Sequence, residues 1–143
     1  MNEELESNKA LAYGTFRLSL GINELMHGLV RLPIFVHFAA NTAKNFEGTI
    51  LPEWFVYAFG LVLPCVEALL GITLILGLLT RWALVTASLL MAILIFGTAL
   101  RSDWATVGLQ MTYVIAYFLA LLFVEYNRYS LDQIYDSRKR PSR

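Results

Sequence analysis

Five ionisable side chains stand where ionisable side chains are costly. Arg17, Glu24, His27, Arg31 and Glu67 all fall inside long apolar runs. Arg17, Glu24 and Arg31 recur every seven residues, which sets them nearly on one line of a helix turning about 100° per residue. Gly21 and Gly28 share that stripe, and His27 lies at its edge. Small residues let a second helix approach closely. The stripe is therefore expected to face inward, with a carboxylate between two guanidinium groups. Glu67 belongs to a later run and lies about 20 Å from its Trp54 end. Arg17 lies about 9 Å from the opposite end of the first run, so the two reach similar depth and are expected to pair. Intramembrane carboxylates and histidines carry protons, so Glu24, His27 and Glu67 form the candidate catalytic set.

A second group lies near the end of the chain. Gln110, Tyr113 and Tyr117 share one helical face by their three- and four-residue spacing. They offer donors to a bound molecule, and Gln110 can reach a buried carbonyl or Glu24. The plainer reading is polar glue between helices. Pro64 removes a backbone donor and frees the carbonyl of Gly60. It either bends its helix for packing or opens a pocket beside Glu67 and Gly71. Metal and haem chemistry find little footing. His27 and His37 are about 15 Å apart along one helix, too far to sandwich one iron. Glu24, His27 and Glu67 are ligand types, but basic neighbours compete for them. Cys65 stands alone, so no internal disulfide or CxxC motif exists.

These groups are carried by an unusually apolar chain. Hydrophobic residues make up 57% of it, above the roughly 45–50% of a soluble domain. The excess is gathered into four runs, at about residues 11–32, 54–79, 82–100 and 104–126. Each is near the ~20 residues that cross a bilayer. Short turns at Thr80-Arg81 and Arg101-Ser102-Asp103 force antiparallel neighbours. The expected architecture is all-α, one domain, a transmembrane four-helix up-down bundle. Trp54, Trp82 and Trp104 open three of the runs as interfacial anchors. Residues 33–52 are expected to hold a short amphipathic helix on the outer interface, with Pro33 in its first turn. The acidic start, MNEELESNK, lacks the basic region of a secretory signal.

Charge sets the orientation and excludes a class of partner. The 11 basic and 11 acidic residues balance, which leaves no basic surface for nucleic acid. Lys9, Arg81, Arg128, Arg138, Lys139, Arg140 and Arg143 fall on the side of the termini, against Lys44 and Arg101 on the other. This bias places both termini, and the tail from 127 to 143, in the cytoplasm.

Three segments carry a family resemblance: RLSLGINELMHGLVRL (17–32), EALLGITLILGLLTRWA (67–83) and YSLD (129–132). With Arg17, His27-Gly28, Arg31, and Glu67 one turn before Gly71, the chain resembles the DoxX family of small four-helix membrane proteins over about residues 13 to 132. The resemblance implies an inner-membrane protein of bacterial type, linked to quinone or quinol redox chemistry. It implies a partner subunit that carries the electron cofactor, since this chain has no haem, flavin or metal motif of its own. Arg17, Arg31, Gln110, Tyr113 and Tyr117 would then hold a quinone head group, with Glu24, His27 or Glu67 carrying its protons. Two other functions fit the same residues. The stripe can fix helix register in a non-catalytic scaffold or assembly subunit, alone or as a homo-oligomer. It can also line a path for protons or a small solute, although no inverted repeat is visible.

Overall fold

A computed structural model describes residues 2–139, and its regular structure is entirely helical. Helix α1 runs Asn2–Arg31, a single 30-residue element with Glu3 and Glu4 in its first turn and Arg31 in its last, the charge order a helix dipole favours. Pro33 ends it in a 3-10 turn, Leu32–Ile34. Helix α2 follows at Phe35–Asn45, then α3 at Glu53–Leu76, α4 at Thr80–Leu100 and α5 at Trp104–Leu122. A second 3-10 turn, Val124–Tyr126, leads to α6 at Leu131–Lys139. Among the orienting basic groups, Arg140 and Arg143 lie outside the described residues, as do the side chains of Arg138 and Lys139.

Helices α3, α4 and α5 are long and apolar enough to cross a membrane. Three such helices in one small chain mark a multi-pass membrane protein. Helix α1 falls short of the same standard of composition, because Arg17, Glu24 and Arg31 interrupt its apolar run. Large apolar side chains point outward along all three spans, Leu69, Leu89, Leu109 and Ile115 among them, as contact with lipid requires. The bundle closes around Leu74, Leu84 and Tyr117, which are fully buried.

The tightest pairing is α1 against α3, and glycine sets it. A Cβ on Gly28 would stand 2.5 Å from the backbone of Ala68 and Pro64, and one on Gly71 would meet the backbone of Leu25. Helix α3 passes unbroken through Pro64. Leu25 of α1 fills the space beside Gly71, and Ala39 of α2 packs where a Gly60 side chain would stand.

The amphipathic helix expected between residues 33 and 52 is present as α2, but it does not lie across the end of the bundle. It runs along the first half of α3. Ala39 and Ala43, one turn apart, are its buried face. Near one end the Phe38 ring lies 4.9 Å from the Arg31 guanidinium. Just past the other, the Phe46 ring lies 5.4 Å from that of Arg101, at the end of α4. Thus α1 and α2 together form one bent antiparallel partner for the whole of α3. Arg17 stands against Gly77, Leu25 against Gly71, Arg31 against Glu67 and Ala39 against Gly60.

Candidate functional site

The packing of α1 against α3 and α5 places six of the expected site residues in two bonded groups along α1. Arg31 donates from Nη1 to both oxygens of Glu67, at 2.6 and 2.5 Å. Its Nη2 lies 3.4 Å from Nδ1 of His27, one turn back on α1. Glu67 is buried, and Arg31 keeps about a quarter of its side chain exposed. Glu24, one turn before Gly28, faces the other way across the bundle. It is buried and accepts a 2.7 Å hydrogen bond from the Tyr117 hydroxyl of α5. Tyr113, one turn earlier on α5, reaches Asn23 at the longer distance of 3.5 Å.

The two buried carboxylates are held by different donors, Glu67 by Arg31 and Glu24 by Tyr117. A buried charge without a partner is costly. Each carboxylate has its donor, and the arrangement places groups of types able to carry protons inside an apolar bundle, with His27 exposed next to Arg31.

Two expected members are elsewhere. Arg17 does not meet Glu67. It donates from Nη1 to Oδ1 of Asn127 at 2.7 Å and from Nη2 to the carbonyl of Tyr129 at 2.9 Å. The depth argument failed because the element facing α3 continues to Asn45, past the expected end at residue 32. That shift puts Arg31 level with Glu67 and carries Arg17 to the far end of α3. Gln110 reaches neither Glu24 nor a buried carbonyl. Its Nε2 donates to Thr98 of α4 at 3.1 Å, well up α5 from Tyr117.

The Arg17 end forms a second polar cluster. Gly77 ends α3 in a left-handed conformation, φ 63°, and Leu79 repeats it at φ 48° without being glycine. Asp132 holds that turn. Its Oδ1 accepts from the Leu79 N–H at 2.6 Å and its Oδ2 from the Thr80 N–H at 2.8 Å. The Asp132 N–H in turn donates to the Gly77 carbonyl at 3.0 Å. Asn127 joins in through a 2.9 Å bond to the Thr80 hydroxyl. Sequence reasoning marked the YSLD segment only for its resemblance; its work in the turn spans more than fifty residues and leaves no local pattern.

Room for a ligand lies beside this second cluster. A groove of about 420 Å³ runs between the first half of α1 and the end of α5, lined by Tyr13, Phe16, Leu119, Phe123 and Tyr126, with Lys9 at its mouth. That volume lies within the usual range for small-molecule sites, roughly 300–1,000 Å³. Lys9 is tied to Glu6 at 2.8 Å and lies 5.2 Å from the Tyr126 ring centroid. Among the described residues, no group of three metal-ligating side chains comes together. Comparison with family models, curated proteins and solved structures finds no match for the chain.

Proposed function

We infer that the chain is a subunit of a quinone- or quinol-linked redox system in a bacterial-type inner membrane. It crosses the bilayer four times with both termini in the cytoplasm. The first crossing is the bent pair α1–α2, over about residues 17–45, and α3, α4 and α5 are the others. The resemblance of three segments to the DoxX family motivates this reading. The observation that supports it most is the pair of buried carboxylates in an apolar bundle, Glu67 held by Arg31 and Glu24 by Tyr117. Reduction of a quinone to a quinol takes two electrons and two protons. The chain supplies proton-carrying groups and an aromatic groove, and a partner subunit supplies the electrons.

On this reading a quinone ring would occupy the groove beside Lys9. Phe16 and Phe123 offer faces for a ring, and the Lys9 ammonium offers a donor. Purified protein in mild detergent is expected to yield about one extractable quinone per chain. Phe123→Ala should lose it, while Glu24→Gln should keep it and lose quinone-linked turnover in native membranes. Protein that remains quinone-free even after reconstitution into quinone-loaded liposomes would overturn the reading.

A second reading is favoured by a specific observation: Arg31 with Glu67, and Tyr117 with Glu24, satisfy one another directly. Such a network can serve to fix helix register in a non-catalytic scaffold subunit. In that case Glu24→Gln lowers the abundance of the assembled complex and leaves turnover per complex unchanged.

A further inference from the structure

Helix α2 has two unlike faces. Ala39 and Ala43 are buried against α3, while His37, Asn41 and Lys44, spaced by four and three residues, are exposed together. Across the bend, His27 is exposed and Arg31 partly so. Because Ala39 stands against Gly60, seven residues into α3, this part of α2 lies about 10 Å below the Glu53 end. Lys44 is near enough to that end to reach headgroups with its long stem. His37 and Asn41 are too short to do so. Their one side-chain bond is to each other, 3.0 Å from Asn41 Nδ2 to His37 Nε2. It leaves the Asn41 carbonyl oxygen, one amide hydrogen and the second imidazole nitrogen facing outward. Hydrocarbon offers these groups no partner, and leaving them bare costs several kcal/mol.

We propose that the polar face of α2, continued by His27 on α1, is covered in the membrane by a transmembrane helix of a different chain that carries a carboxylate. This rests on the reading that residues 17–45 form a membrane crossing. Hydrogen bonding selects the occupant: His37 and Asn41 present polar groups at this depth, and Lys44, which forms no ion pair among the described residues, adds one positive charge at the end of the face. The nearest acid in sequence, Glu47, lies past the end of α2 in the following turn. A second copy of this chain would set Lys44 against Lys44 and histidine against histidine. A carboxylate accepts from the Asn41 amide or from an imidazole N–H of His37, and offers Lys44 an opposite charge.

The test uses the full chain in lipid nanodiscs, with Cys65→Ser to remove the native thiol and Ala40→Cys to carry a nitroxide between the polar residues. The probes are synthetic poly-leucine transmembrane helices with one glutamate, one lysine or no polar residue at the matching depth. The glutamate helix is expected to bind about tenfold tighter than the plain one, the equivalent of one or two interhelical polar contacts. It should also shield the nitroxide from dissolved oxygen. His37→Leu with Asn41→Leu should erase the difference. Equal binding of all three helices overturns the proposal, and so does label-to-label dipolar coupling without peptide, which would make a second copy the occupant. A nitroxide at Leu89→Cys separates the two levels of inference. Oxygen contact there confirms that the bundle is in lipid, whereas contact with a water-soluble nickel chelate means the membrane reading itself has failed.

Discussion

At the scale of the residue, the ion pair and the tyrosine bond make different demands on stability. Arg31→Ala leaves the Glu67 carboxylate buried without its cation, which is expected to cost about 3–5 kcal/mol. Removing both partners, as in Arg31→Met with Glu67→Leu, is expected to restore most of that loss. Thermal unfolding in detergent measures both, and equal losses in the single and double variants would rule out a coupled pair. Tyr117→Phe deletes the one side-chain hydroxyl bonded to Glu24 and should cost about 1–3 kcal/mol in the same assay. Outside the spans, Asp103 caps α5 by accepting from the Thr106 hydroxyl at 2.7 Å and the Thr106 N–H at 3.1 Å. The Thr106 hydroxyl bond, then that N–H, and the nearby Arg101 charge hold its carboxyl below the usual aspartate value. A depressed acid stabilises the fold above its unfolded pKa of about 3.9 and loses that contribution as pH falls through the folded value. The protection factor of the Thr106 amide, its exchange rate relative to an unstructured amide at the same pH, should therefore hold at pH 5 and fall below about pH 4. An unchanged protection ratio would deny the cap any role.

At the scale of the element, helix contact depends on missing side chains. Gly28→Ala drives a methyl into the backbone of Ala68 and Pro64, so α1 must move away from α3. Such overpacking should cost about 1–3 kcal/mol, while Gly108→Ala, which meets nothing, should change melting little. Equal effects at both positions would remove the close-approach argument. The same elements show what the sequence made legible. Long apolar runs opened by Trp54, Trp82 and Trp104 located α3, α4 and α5 to within a few residues, because hydrophobic length is a strong and local signal. The Gly21–Gly28 stripe foretold the face of α1 that packs, since small residues mark close helix approach. The depth of α2 was not legible. Its exposed His37, Asn41 and Lys44 look like a surface helix, and only the meeting of Ala39 with Gly60 reveals that it runs beside α3. One misplaced element then misassigned a partner: Glu67 was matched to Arg17, whereas Arg31 holds it. Tyr117 was legible as an inward donor but its acceptor was not, because partner choice across helices depends on rotation about the axis.

At the scale of the whole molecule, topology is the open quantity that charge predicts. If the proposed orientation holds, with both termini in the cytoplasm, Lys44 should react with a membrane-impermeant amine reagent from outside intact cells, and Lys9 only after the membrane is opened. The reverse pattern would invert the orientation. The turn between α3 and α4 carries a consequence for the order in which the protein matures. Leu79, a non-glycine in a left-handed conformation, is held by Asp132, made 53 residues later. During synthesis the two helices leave the ribosome well before the residue that locks their hinge. A chain interrupted after Tyr126 has every crossing but no latch, and Arg17 lacks the carbonyl of Tyr129 and the amide of Asn127 that hold it. The segment from Asn127 to Asp132 thus acts as a late latch on helices made before it, and a chain cut after Tyr126 is expected to be more open to proteases than one that includes it.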